Sequence, residues 1–529
     1  MSSSTPINQN QRQHIQQFFA DMVGESGESA RDNRFASPAW QAHAPYRLLA
    51  DAYLATSQTL QLGLDQSPLG KDEKKRAKFF LSQFIDAMSP ANFLLTNPEA
   101  INLAVESKGE SLKLGLKNFQ HDVDIGHVSI TDESAFEVGK NIAVSAGAVV
   151  FENAIFQLIQ YSPLTADVYL RPILFVPPCI NKFYILDLTP ENSYIRYAVA
   201  GGHTVFVVSW RNVDAALGHL TWDDYIAEGV IKAIDTVRLI TNVEKINALG
   251  FCVGGTLLAA SLAVLRRMGH DVVESATFLT TFVNFSDVGE VGAYIDRDFT
   301  DKREREVGIT AGGGIVNGGE LAFAFSSLRA NDLIWRYVIN NYLKGTKPAA
   351  FDLLYWNADS TNLPGPWYCW YIKNTYLENN FIQPDKLNVC GVPVDMRYVD
   401  MPTFIFAAKE DHIVPWPSAF ASVALFSGDT TFILGASGHI AGVINPAHKN
   451  KRSYWSQPKA CSGASVFNAK TTAENWLANS VEKPGSWWAT WSDWLATKSG
   501  RKISARSTLG SKDFAPIEPA PGRYVREKI

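Results

Sequence analysis

This sequence offers its cysteines no pairing scheme. The five, Cys179, Cys252, Cys369, Cys390 and Cys461, are odd in number, scattered, and never spaced Cys-x-x-Cys. That argues against a disulfide framework or a structural zinc and suits a reducing cytoplasm. Dense basic blocks are absent too: 48 Lys and Arg stand against 53 Asp and Glu, for a net charge of -5. A groove for nucleic acid is therefore not expected. No His, Cys, Asp or Glu cluster has metal-ligand spacing, so no metal site and no resident cofactor are predicted. The opening MSSSTPINQNQRQ lacks the apolar core of a secretory signal, so the chain is expected to stay inside the cell. One stretch, Ile246 to Leu265, runs for twenty residues without a charge, long enough to cross a bilayer. A Gly-Cys-Val-Gly-Gly break near its start divides it better into a buried strand and a helix, so no membrane span is predicted.

What is present is apolar content. The 529 residues are 46% hydrophobic and 12% aromatic, ample for two folding units or one with a large insertion. Residues 1–30 read as a disordered tail. Residues 31–165, punctuated at Pro38, Pro45, Pro90 and Pro98, predict a mainly helical N-terminal domain. Over residues 166–529, short apolar runs alternate with amphipathic segments, the pattern of a mostly parallel sheet covered by helices. Strands are predicted over Ile173–Val176, Thr204–Trp210, Ile246–Phe251, Ala276–Thr281, Thr403–Ala408 and Thr431–Leu434, with helices over Asp223–Thr241 and Thr256–Met268. The roughly 120 residues between Thr281 and Thr403 exceed a crossover and predict a cap or lid at about 282–402. Its aromatics Trp356, Trp367, Tyr368, Trp370, Tyr371 and Tyr376 either cover a pocket or form the cap's own core. Trp487, Trp488, Trp491 and Trp494 fall near helical spacing and predict a packed helix face. The glycine run Gly312 to Gly319 lacks the Gly-Lys-Ser/Thr ending of a phosphate loop and reads as a flexible cap loop. The closing PIEPAPGRYVREKI reads as an extended tail.

The chemistry centres on Gly250-Phe251-Cys252-Val253-Gly254-Gly255, a G-x-S-x-G nucleophile elbow with cysteine in the serine's place. A predicted strand enters and a predicted helix leaves, the context of an α/β-hydrolase fold. Alone, the motif fits an inert buried thiol equally well. The downstream residues change that, because this fold presents nucleophile, acid and histidine in chain order. Asp411 follows one predicted strand and His439 follows the next, inside Gly-Ala-Ser-Gly-His-Ile-Ala-Gly. Glu410 and Asp400 compete for the acid, His412 and His448 for the base; position after the strand favours Asp411 and His439. His203, in Gly-Gly-His-Thr before a strand, reads as structural or exposed. An oxyanion hole would take the N–H of Val253 and one from Cys179-Ile180-Asn181, with Ile180 chosen. A helix N-terminus and a nearby histidine both favour thiolate, the nucleophilic form.

At this point the residues resemble a known family, the polyhydroxyalkanoate synthases, from about Phe35 to the C-terminus. The similar segments are MSPANFLLTNP from Met88, SAFEVG from Ser134, PPCINKFYILDL from Pro177, HTVFVVSWRN from His203, GFCVGGT from Gly250, EDHIVPW from Glu410 and GHIAGVINP from Gly438. The resemblance implies an α/β-hydrolase-fold acyltransferase that polymerises (R)-3-hydroxyacyl-coenzyme A into a polyester, releasing coenzyme A, at the surface of cytoplasmic granules. It implies Cys252 as nucleophile, His439 as general base and Asp411 as third catalytic residue, orienting His439 or activating the 3-hydroxyl. The single long chain and the WYCWY segment from Trp367 look most like class I enzymes, which favour short-chain monomers such as 3-hydroxybutyryl-coenzyme A. A homodimer and contacts with granule-associated proteins are further implied. Two readings compete: a thioesterase or polyester depolymerase with the same triad, and a non-catalytic granule-coating protein.

Overall fold

The computed structural model describes residues 31–457 and 471–529, so the expected tail over 1–30 and Cys461 lie outside the described residues. The described chain divides into two compact units: one ends at Glu133 and includes Ser326–Ala350, the other takes Ser134–Phe325 and Phe351–Ile529.

The first unit is helical, with helices over Pro38–Ala42, Ala44–Asp65, Lys71–Ala87, Pro98–Glu106 and Glu110–Ile125. The prolines that punctuate the sequence are helix starts: Pro38, Pro45 and Pro98 each occupy the first turn, where a missing N–H costs nothing. Asn97 caps the fourth helix by accepting from Ala100 N–H at 3.1 Å. The core is small, with Phe35, Trp40, Ala50 and Ala91 buried and Ile339 packed on them. Ile339 belongs to the expected cap, and so does the rest of 326–350. The structure therefore gives the middle of that insertion to the helical unit. It is held by Tyr342 Oη donating to Asp122 at 2.7 Å and Asn341 Nδ2 donating to Ser129 O at 2.7 Å. A Cβ on Gly115 would overlap the Tyr342 carbonyl. Such contacts carry no hydrophobic period, so the sequence could not announce them.

The second unit is built on an eleven-stranded sheet. In chain order its strands are β1 Gly147–Glu152, β2 Phe156–Tyr161, β3 Ile173–Val176, β4 Val205–Trp210, β5 Ile246–Phe251, β6 Val273–Leu279, β7 Thr403–Ala408, β8 Thr430–Gly435, β9 Ser453–Ser456, β10 Val481–Pro484 and β11 Glu518–Pro519. Across the sheet they run β10-β9-β8-β7-β6-β5-β3-β4-β2-β1-β11. The central six, β8 to β4, are parallel and the strands at both edges antiparallel. Parallel strands are covered on both faces, so β3, β4, β5 and β7 are buried at every position and read in sequence as continuous apolar runs.

Three further findings differ from the sequence reading. The boundary drawn at 165 falls too late, because β1 and β2 already belong to the sheet. The closing segment is no free tail: Glu518 and Pro519 pair with Val149 and Ala148, and Tyr524 and Val525 are buried. A two-residue edge strand is too short to show a period. The glycine run is tied in as well: Gly314 N–H donates to Gly218 O at 3.0 Å, and Ile315–Val316 pairs with Leu363–Pro364. The uncharged run Ile246 to Leu265 divides into β5 and the helix Val253–Arg267, and among the described residues no helix is long and apolar enough to cross a membrane. Of the four tryptophans expected on a packed helix face, Trp487 at the N-cap and Trp488 and Trp491 on the helix Trp488–Ala496 are fully buried, with rings tilted against Tyr194, while Trp494 is half-buried.

Candidate active site

Sheet register gathers the site. Val176 lies opposite Gly250, Phe251 opposite Leu279, Phe406 opposite Leu279, and Ala408 opposite Gly435. The carboxyl ends of β3, β5, β7 and β8 are therefore level, and the loops that follow them emerge side by side. Strand order also reverses between β3 and β5, since β4 lies outside β3; crevices at such switch points are where ligands bind in open α/β sheets.

Cys252 occupies the turn between β5 and helix Val253–Arg267 with φ 53° and ψ -128°, a left-handed conformation that costs a non-glycine residue about 1–3 kcal/mol. Its N–H donates to Leu279 O at 2.9 Å, and its carbonyl accepts from Gly255 N–H at 2.9 Å. The flanking glycines serve close approach more than positive φ. A Cβ at Gly254 would sit on the carbonyl oxygens of Val176 and Pro177, and one at Gly255 on the Thr281 side chain. The helix can thus press against the end of β3, which leaves Cys252 half-buried while Phe251 and Val253 are buried.

His439 opens the short helix His439–Val443 after β8. Its Nδ1 lies 2.7 Å from Asp411 Oδ2, and Cys252 is near enough to help hold its pKa up. Asp411 is spoken for on its other oxygen, where Oδ1 accepts from Ile413 and Val414 N–H at 2.9 and 2.8 Å. Burial would depress the imidazole, but the Asp411 carboxylate and then Cys252 outweigh it, so His439 is held above its usual range. The Phe251 ring stacks on His439 at 5.8 Å. Two indoles pin the helix that carries it: Trp487 Nε1 donates to Gly442 O at 3.0 Å and Trp488 Nε1 to Val443 O at 2.8 Å. Sequence reasoning took these tryptophans for packing alone; a ring N–H leaves no sequence mark beyond the residue itself.

Of the competitors, Asp400 pairs with Arg266 at 2.7 Å, Glu410 and His448 are exposed, and His412 is half-buried directly after Asp411. His203 is buried before β4, stacked on Tyr169 at 4.7 Å, and burial, followed by the charge of Lys502, pushes its ring down to about 4.

Val253 is the first residue of its helix, so its N–H is one the helical ladder cannot use. Ile180 lies in the loop after β3, between Cys179, whose thiol burial pushes up, and Asn181, held at φ 68°. The cap aromatics build core, the second of the two roles left open above. Trp367, Trp370 and Tyr371 pack on Trp222, with centroids at 5.4, 4.5 and 5.6 Å, as core. Tyr371 and Tyr376 are also close enough to Cys252 to feel its charge, which adds to the burial that raises both phenols. Among the described residues no group of three or more His, Cys, Asp or Glu could hold a metal ion.

A strand, a strained nucleophile turn and a helix, followed in chain order by an acid and a histidine at the ends of later parallel strands, define an α/β-hydrolase-fold protein. Residues 179–446 match the sequence model of the alpha/beta hydrolase fold, and residues 31–198 match that of the poly-beta-hydroxybutyrate polymerase N-terminus. The poly(3-hydroxyalkanoate) polymerase subunit of Cupriavidus necator is 51% identical over 97% of this chain and 86% of its own. The poly(3-hydroxyalkanoate) polymerase of Methylorubrum extorquens is 41% identical over 94% of this chain and 81% of its own. Among solved structures, a monoacylglycerol lipase of Paleococcus ferrophilus is 12% identical, covering 54% of this chain and 90% of its own at a TM-score of 0.35. The chain belongs to the poly(3-hydroxyalkanoate) polymerase family, and with it to the acyltransferases.

Proposed function

We propose that this chain joins (R)-3-hydroxyacyl units from coenzyme A thioesters into polyester, with Cys252 carrying the acyl group. The observation that carries the reading is the thiol on its elbow beside the buried His439–Asp411 pair. His439 takes the Cys252 proton, and sulfur attacks the thioester carbonyl. The oxyanion is met by the N–H groups of Val253 and Ile180. The carbon–sulfur bond to coenzyme A then breaks, and the leaving thiolate takes the proton from His439. One thioester replaces another, so the acyl group stays activated. In the second half, His439 takes the proton of a 3-hydroxyl, its oxygen attacks the Cys252 thioester, an ester forms, and the leaving sulfur takes the proton back from His439. Asp411 orients His439 and balances its charge; with Oδ1 and Oδ2 both engaged, activation of the 3-hydroxyl is the less supported role. No step calls for a resident cofactor, since coenzyme A enters with the substrate and leaves as product.

Short-chain monomers, 3-hydroxybutyryl-coenzyme A first, a cytoplasmic granule-surface location, homodimerisation and contacts with granule-associated proteins complete the proposal. Exposed Phe84, Leu95, Val105 and Leu116 on the helical unit favour an apolar surface such as the polyester itself. The test is product analysis after incubating purified protein with 3-hydroxybutyryl-coenzyme A. Polymer with released coenzyme A supports the synthase, whereas free 3-hydroxy acid alone supports a hydrolase. Dimerisation is checked by size measurements with and without a substrate analogue, where a persistent monomer counts against it.

A further inference from the structure

Thr361 lies just beyond the cap helix Asp352–Ala358, buried, against a loop distant in sequence. Its hydroxyl donates to Cys179 O at 2.8 Å and accepts from Asn181 N–H at 2.8 Å. A single side chain thus holds the backbone on both sides of Ile180. Asn181 is fastened in turn: its Nδ2 faces the carbonyls of Trp356, Asn357 and Asp359 at 3.2, 3.3 and 3.4 Å. Trp356 Nε1 donates back to Lys182 O at 2.7 Å. Asp359 is itself locked, by Tyr184 Oη at 2.8 Å and the Lys528 ammonium at 2.8 Å.

So dense a set of ties around one half-buried residue, Ile180, calls for a reason. We infer that Thr361 is a positioning residue for acyl transfer, fixing the Ile180 N–H as the oxyanion donor opposite that of Val253. The inference rests on the proposed acyl transfer at Cys252. It follows from how such donors work: they stabilise charge because they need not reorganise, so a loop free to move would forfeit most of the effect. Losing a donor costs about 100- to 1000-fold, and a shift near 1 Å about 100-fold. The clamp also makes the donor depend on residues 356–361, which belong to the expected cap and not to the loop.

Two rates on the same thiol separate positioning from structure. Acylation, read as the first-turnover release of coenzyme A from 3-hydroxybutyryl-coenzyme A, passes through an oxyanion. Alkylation of Cys252 by iodoacetamide, read by peptide mass, displaces iodide from a saturated carbon and has none. Thr361→Val keeps the shape and removes both hydrogen bonds. It should slow acylation about 10- to 100-fold and leave alkylation within about twofold. Thr361→Ser, which keeps the hydroxyl, should restore acylation. Unchanged acylation in the valine variant, or equal loss of both rates, overturns the inference. Should the valine variant not accumulate, Asn181→Gly, which keeps the left-handed backbone and drops the side-chain anchor, should show the same split, and equal rates there overturn the inference as well. A wild-type protein that is alkylated but never releases coenzyme A overturns the acyl-transfer reading itself, and the clamp's role with it.

Discussion

The two ends of the parallel sheet each bury a histidine in a glycine-flanked loop, and they treat it in opposite ways. His439, 4% exposed at the carboxyl end, has a carboxylate at 2.7 Å and is held above its ordinary range. His203, 1% exposed at the amino end of β4, has no hydrogen-bond partner on either ring nitrogen among the described residues and is pushed down to about 4. Burial is common to both, so burial alone does not set the direction of the shift. The difference is the partner, and the partner comes from register: Asp411 and His439 follow neighbouring strands whose ends are level. At the other end, the antiparallel pair of Asp167–Tyr169 with Lys502–Ser504 supplies an aromatic face and a positive charge instead.

Cys252→Ala should stop coenzyme A release from 3-hydroxybutyryl-coenzyme A, a loss of at least about 10⁴-fold, and near-normal turnover would remove the carboxyl end's claim to the chemistry. Cys252→Ser should also be badly impaired, because the hydroxyl is harder to deprotonate. Next comes the feature that separates the two histidines. Asp411→Asn keeps the shape but not the charge, leaving His439 more like His203, and should lower kcat by roughly 10³- to 10⁴-fold. A loss under tenfold, with the fold intact by circular dichroism, would mean that His439 does not need its carboxylate.

A smaller effect, on stability, is expected where the elbow helix meets β3. Gly254→Ala places a methyl on the carbonyl oxygens of Val176 and Pro177, backbone atoms that cannot step aside cheaply. It should cost about 3 kcal/mol, read from the urea midpoint, and a midpoint equal to wild type would mean that the helix can lift off β3 freely.

That contact also shows what could be read in advance. The strands Ile173–Val176, Ile246–Phe251 and Thr403–Ala408 have the bounds the apolar runs predict, because a doubly covered strand writes its burial into every residue. The elbow and the two later residues were legible as a motif in chain order. Choosing Asp411 over Glu410 needed only position after the strand, and the two differ in the structure as buried and exposed. What could not be read is whatever depends on distant partners. The edge pairing of Val149 with Glu518, the Trp487 and Trp488 indoles on the His439 helix, and the Thr361 clamp all join residues that share no local pattern. The capture of 326–350 by the helical unit is of the same kind.

The two histidines also respond to pH with opposite signs. His439 has a folded pKa raised above the ordinary 6.5, so its contribution to stability is complete below that value and is lost as pH rises through the folded pKa. His203 runs the other way. With a folded value of about 4 against 6.5 when free, the unfolded chain takes up a proton that the folded one refuses, and stability falls as pH drops through that window. The loss attributable to His203 should reach about 2 kcal/mol at pH 5 and approach about 3 kcal/mol near pH 4. His203→Phe, which keeps a ring against Tyr169 and cannot be protonated, should flatten that part of the profile. The measurement is the urea midpoint of both proteins at pH 7 and pH 5, where the wild type should lose more than the variant while coenzyme A release at pH 7 stays the same. Parallel profiles would show that water or a shifted Tyr169 reaches the ring, and the amino end would then no longer differ from the carboxyl end in how it holds its histidine.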